Sequence, residues 1–162
     1  MINWLLLTYT LPSEPSARRV YIWRKLKRLG AITIFDAVWV LPDNPRTHEQ
    51  FQWLAVEIQD MGGEAMFWKA QAELAGQEET LIEQFQIQVE KTYQALLERM
   101  DQNQIEPIPA AQEYQQIRQK DYFESEAGLI LRERLLRVHN CFQKFFLLRF
   151  PIYKRDLSFY TL

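Results

Sequence analysis

The feature that most restricts how this chain folds is the punctuation of its first 75 residues, where two kinds of hydrophobic period alternate between proline and glycine stops. Trp4–Leu11, rich in leucine, threonine and tyrosine and closed by Pro12 and Pro15, has the pattern of a buried strand. Ser16 as N-cap and Gly30 as stop place a helix over Ala17–Leu29. Ala31–Phe35 and Ala37–Leu41 are β-branched and aromatic, with Asp36 at a bend and Pro42 at the end, so they predict a hairpin. Thr47 and Gln50 form a capping-box pair, after which Phe51, Leu54, Ala55 and Ile58 recur at helical spacing up to Gly62-Gly63. Ala65–Ala70 completes the set as a strand. The order strand, helix, strand, strand, helix, strand predicts an α+β fold of the ferredoxin-like kind, a four-stranded antiparallel sheet with two helices on one face.

After Gly76 the period becomes helical throughout. Leu81, Ile82, Phe85, Val89, Tyr93, Leu96 and Leu97 form one stripe over Glu78–Met100. A break over Ile105–Pro109 precedes helices expected over Ala110–Phe123 and from Ser125 to about Phe150. The expected organisation is therefore a ferredoxin-like domain over 1–75 and a helical C-terminal half over 76–162, packed on the first or on a second subunit.

Nearly half the residues are hydrophobic (48%), enough for a real core, and a single cysteine, Cys141, allows no internal disulfide. The N-terminal apolar run has no basic region before it, and no run approaches the roughly 20 residues that span a bilayer. A cytoplasmic protein without membrane partners is the expectation.

Charge is where the chain departs from an average sequence. Arg18, Arg19, Arg24, Lys25, Lys27 and Arg28 lie between Ser16 and Leu29 with no acidic residue among them. The total charge is −2 and this helix carries +6, so all other residues together carry −8. At about 100° per residue, Ile22, Trp23, Leu26 and Leu29 share an arc suited to a sheet, while Arg24, Lys25, Lys27 and Arg28 fall on the solvent side. Cations beside an aromatic (Tyr21) are the composition of a phosphate-contacting surface. The same pattern also fits a solvated helix face whose charges are taken up in salt bridges. Arg19 falls inside the apolar arc. It either snorkels from the first turn or, with Arg18, forms a buried oxyanion site.

No catalytic pattern stands out. His48 and His139 are isolated, and His139-Asn140-Cys141 lacks a second pair of ligands, so neither a metal nor another cofactor is expected. There is no phosphate-binding glycine loop and no nucleophile elbow. Asp101, Glu106 and the Glu78-Glu79 pair read as solvated charge. Phe142, Phe145, Phe146, Phe150 and Tyr153, interleaved with Lys144, Arg149, Lys154 and Arg155, suggest an oligomer interface.

Several of these stretches resemble the N-terminal domain of the ChrB family of chromate-resistance proteins. They are Trp4-Leu5-Leu6-Leu7, the run from Arg18 to Ala31, Asp36–Pro42, Gln50–Leu54, Gly62-Gly63-Glu64-Ala65 and Asp121-Tyr122-Phe123. The resemblance runs over roughly residues 3–135 and implies a regulator of chromate-resistance genes. It implies DNA contact through Arg18, Arg19, Arg24, Lys25, Lys27 and Arg28. Family members often carry a further, C-terminal domain associated with chromate sensing, so direct binding of chromate here, at Arg18 and Arg19, is a separate expectation. A dimerisation or adaptor module working with a separate sensor is the alternative. The element order also resembles small ferredoxin-like nucleases of CRISPR systems and a domain of the PaaX regulators. Those nucleases place a metal-binding aspartate at the end of the first strand, where this chain has Tyr9-Thr10-Leu11, so no enzyme is expected.

Overall fold

The computed structural model describes residues 1–149, with side chains through Val138. The first six elements are β1 (Trp4–Thr10), α1 (Ser16–Leu29), β2 (Ile32–Ile34), β3 (Val38–Pro42), α2 (Pro45–Asp60) and β4 (Glu64–Ala70). The strands form one antiparallel sheet in the order β2-β3-β1-β4. Each helix thus joins two strands that have a third between them, the split arrangement of ferredoxin-like folds.

The period of two in β1 sets the layers. Leu5 and Leu7 are fully buried and pair across the sheet with Leu41 and Trp39. Ile22 and Leu26 of α1 and Phe51, Leu54 and Ile58 of α2 fill the same core. Phe51 meets Phe67 of β4 edge-on, with ring centroids 6.1 Å apart. The hairpin turns through Phe35 (φ 52°) and Asp36 (φ 55°), both left-handed as a two-residue primed turn requires. Asp36 tolerates that geometry readily, and Phe35 adopts it while 94% exposed.

Both helix starts differ from expectation. Ser16 is the first helical residue of α1, Pro15 precedes it, and no side chain caps the end. The capping box of α2 forms between Asn44 and Thr47, because Pro45 is suited to the first helical position. The Asn44 side chain accepts from the Thr47 N–H at 3.0 Å, and the Thr47 hydroxyl donates to the Pro42 carbonyl at 2.6 Å.

Three helices follow: α3 (Gln77–Asp101), α4 (Pro107–Arg118) and α5 (Glu126–Arg149). The fourth was expected over Ala110–Phe123; it starts at Pro107 and stops at Arg118. Tertiary contacts draw the next residues out of helix. The Tyr122 hydroxyl donates to the Leu29 carbonyl at 2.6 Å, and the Phe123 ring packs 5.8 Å from Trp4 and 5.6 Å from Phe85. Asp121 accepts from the Ser125 N–H at 3.0 Å, and Ser125 Oγ accepts from the Gly128 N–H at 3.3 Å, fastening the start of α5.

The helix α3 serves two cores. Its Phe85 stacks on Trp4 at 5.8 Å and belongs to the core of the sheet. Its Val89, Tyr93 and Leu96 form a second core with Ala110, Tyr114, Ile117, Ala127 and Leu131. The change of character at residue 76 is therefore a change of secondary structure, with α3 packed on both sides of it. Gly128 lets α5 approach closely, since a Cβ there would stand 2.8 Å from the Tyr93 ring.

Candidate nucleic-acid interface

The helix α1 buries Ile22 and Leu26 and ends at Gly30, whose left-handed φ of 79° lets its N–H reach the Leu26 and Lys27 carbonyls. Four of the six cations then separate from the other two by what they touch. Lys25 is half-buried, and its ammonium lies 2.5 and 2.7 Å from the Glu57 oxygens of α2 and 4.8 Å from the Tyr21 ring centre. Burial works against its charge, but the Glu57 carboxylate and then Tyr21 outweigh it and hold the ammonium pKa above its ordinary value. Lys25, expected on the solvent side, is thus committed to the α1–α2 contact. Lys27 is exposed and lies 5.4 Å over the Trp39 ring, a contact that leaves its charge available.

Arg24 and Arg28 are exposed, and among the described residues neither they nor Lys27 have a carboxylate partner. Arg18 donates to the Met61 carbonyl at 2.8 Å and Arg19 to the Ser13 carbonyl at 3.0 Å; both side chains are exposed. The apolar arc expected to enclose Arg19 has no surface beneath it there, because every residue from Ser16 to Tyr21 is exposed. Trp23, expected to face the sheet, is 50% exposed.

Elsewhere among the described residues, four cationic side chains are paired with carboxylates. Lys69 binds Asp43 at 2.5 Å, Arg99 binds Glu113 at 2.9 Å, Arg137 lies 3.6 Å from Glu133, and Arg134 pairs with Asp101. Asp101 remains 56% exposed, in keeping with its reading as solvated charge, and gains Arg134 as a partner. Glu78 likewise accepts from the Ile2 N–H at 2.5 Å and ties α3 to the chain start. His48 lies 3.3 Å from Asp43 and edge-on to Phe67, a packing role between α2 and β4. Lys69 foremost, with His48, holds the Asp43 carboxyl below the usual range against the opposing effect of desolvation.

The end of β1 does have one acidic neighbour. Glu64 pairs with Thr10 across the β1–β4 ladder and is exposed. Among the described residues, no group of three His, Cys, Asp or Glu side chains is placed to share a metal ion. A cavity of about 900 Å³ opens on the sheet beside Trp4, Leu6, Ile34 and Leu81, and none of its lining side chains is charged. His139, Cys141 and the aromatic-basic tail lie outside the residues whose side chains are described.

Fold and surface together define a ferredoxin-like α+β domain with a helical extension and a cationic first helix. Residues 19–108 match the family described as Protein ChrB, N-terminal, and the chain belongs to that family. It is 35% identical over 69 residues to Protein ChrB of Cupriavidus metallidurans, a stretch covering 43% of this chain and 21% of that protein. The chain therefore matches about a fifth of its relative's length. No solved structure matches it. Among the described residues, no helix is long and apolar enough to cross a membrane.

The sequence pointed to α1 but not to the contacts that sort its charges. The one signal for the anchoring of its C-terminal end was the Asp121-Tyr122-Phe123 stretch, two aromatics between charged residues.

Proposed function

We propose that this chain is a DNA-binding module of chromate-responsive gene regulation, acting in the cytoplasm and contacting duplex phosphates through α1. The observation that carries the reading is the exposed set Arg24, Lys27 and Arg28, unpaired among the described residues of a protein that is otherwise net acidic. Arg18 and Arg19 extend the positive surface towards the start of the helix, while Lys25 supports it from within. Membership of the ChrB family supports the link to chromate resistance. Such contacts position a protein on DNA and release counterions. Fluorescence anisotropy on a labelled duplex should show binding at about 50 mM salt that weakens steeply as salt rises. No binding at that salt would retire this reading.

A second reading, self-association as a dimerisation or adaptor module, is favoured by the apolar side chains that α5 leaves open: Leu129, Ile130 and Leu136 are 46%, 51% and 50% exposed. An oxyanion site at Arg18 and Arg19 has less support, since each guanidinium already donates to a backbone carbonyl and is open to water. We also take the role to be non-catalytic. Hydrolysis by paired metals needs several anionic ligands, and among the described residues Glu64 beside the end of β1 belongs to no group of three His, Cys, Asp or Glu side chains placed to share an ion. Purified protein should leave nucleic acid intact with magnesium or manganese; cleavage lost in Glu64→Ala would overturn this.

A further inference from the structure

The fold brings two cations from distant parts of the chain to the C-terminal end of α1. A cleft of about 680 Å³ lies there between α1, α3 and α4, and Lys27, Arg28 and Lys120 all line it. Its other polar walls are neutral amides and a threonine, among them Gln88, Gln116 and Gln119. Its one carboxylate, Glu113, is taken up by Arg99 at 2.9 Å through both oxygens. Arg46, in the first turn of α2, reaches the same rim by donating to the Gln119 carbonyl at 2.9 Å.

This placement is fixed by packing. Gly30 is so close to Lys120 that a Cβ on the glycine would stand 2.9 Å from the Lys120 Cβ. The Tyr122 hydroxyl on Leu29 and the Gln88 amide on the Gly30 carbonyl at 2.9 Å hold the two segments together. Lys120 itself is half-buried along its stem, and Arg46 is exposed. Three cations from two segments thus line one opening with no unpaired carboxylate among its lining residues, and Arg46 from a third segment is bonded to Gln119 at its edge.

We infer that the phosphate-binding surface is composite: it continues from Lys27 and Arg28 into this cleft, where Lys120 and Arg46 contact the sugar-phosphate backbone of the same duplex. The inference rests on the proposal that α1 binds DNA. Its physical basis is that a duplex carries one negative charge per about 1.7 Å of axis, so a polyanion laid along α1 meets every fixed cation at that end. The helical half then contributes to binding directly, in addition to bracing the sheet.

The test uses the full chain and a random-sequence labelled duplex, with affinity measured between about 50 and 200 mM salt. Lys120→Gln and Arg46→Gln keep a polar end group and remove the charges; unchanged thermal midpoints and circular dichroism would establish that the fold is intact. If each residue makes one phosphate contact, each variant should bind more weakly at low salt, and its loss of affinity across that range should be smaller by about 3.5-fold. Wild-type salt dependence in both variants, while Lys27→Ala and Arg28→Ala reduce it, would overturn the composite surface and leave binding through α1 standing. Competition at millimolar inorganic phosphate that displaces the duplex from wild type but not from Lys120→Gln would point to a discrete anion site, and would likewise overturn it. Absence of duplex binding by the wild type would remove both.

Discussion

The first helix and the contacts between the helices that follow it use cations differently. In the helical half, Arg99 joins α3 to α4 and Arg134 joins α5 to α3 through carboxylates, Arg137 pairs within α5, and Lys91, Arg118, Lys120 and Arg132 have no carboxylate partner among the described residues. In α1 only Lys25 is used like that; Arg24, Lys27 and Arg28 have no such partner among the described residues. Paired surface charges contribute little to stability, typically under about 1 kcal/mol each. Unpaired ones contribute still less to folding, so the exposed row on α1 is what the proposed polyanionic partner would meet. Stability and the proposed function are thereby separated: the two cores hold the molecule, and the proposed DNA contact falls on the solvent side of α1.

That separation can be broken most forcefully at Phe85. It is 1% exposed, stacks on Trp4 and joins α3 to the core of the sheet. Phe85→Ala should cost about 3–5 kcal/mol in denaturant unfolding. A loss under about 1 kcal/mol would mean that the sheet is stable without α3.

A smaller effect is expected on α5. If Leu129 and Leu136, seven residues apart and so on one helical face, form a self-association surface, Leu136→Asp should shift light scattering towards the monomer at high micromolar concentration. A strictly monomeric wild type under those conditions would refute the association.

Smaller again is the effect of Lys25→Ala. The pair with Glu57 is about one-third exposed on each side, so its loss should cost only about 0.2–1 kcal/mol. The sign with pH follows from the raised pKa of the folded ammonium. Its contribution is complete below the ordinary lysine pKa and is lost as pH rises through the raised value, so wild type and variant should converge only in strong alkali. Asp43 behaves inversely. Held low by Lys69 and His48, its carboxyl contributes above the ordinary aspartate pKa and loses that contribution as pH falls through the lowered one. Asp43→Asn should therefore flatten the acid limb of the stability profile and leave the alkaline limb unchanged.

Much of this was legible in the sequence where one periodicity sufficed. Leu5 and Leu7, the Phe51–Ile58 stripe and the stop at Gly30 place the sheet, α2 and the end of α1 from local pattern alone. A helical wheel also puts Arg24, Lys27 and Arg28 in solvent, where they are found. The wheel gives angles but not neighbours. It could not show that Glu57 of α2 reaches Lys25, or that the first turn of α1 has no core beneath it, which leaves Arg19 exposed. Nor could it show that Tyr122 crosses 93 residues to the Leu29 carbonyl, ending α4 early and carrying Lys120 to α1. Those facts depend on long-range packing, which no local pattern encodes.

The most direct test of the division between free and paired cations compares salt dependence within α1 itself. Arg24→Ala, Arg28→Ala and Lys25→Ala would each be titrated against the same labelled duplex over about 50–200 mM salt. Arg24→Ala and Arg28→Ala should each lower the slope of log affinity against log salt by about 0.9, with stability changed by less than about 0.5 kcal/mol. Lys25→Ala should leave the slope at the wild-type value. Equal reductions for all three, or a reduction for Lys25→Ala alone, would contradict the division.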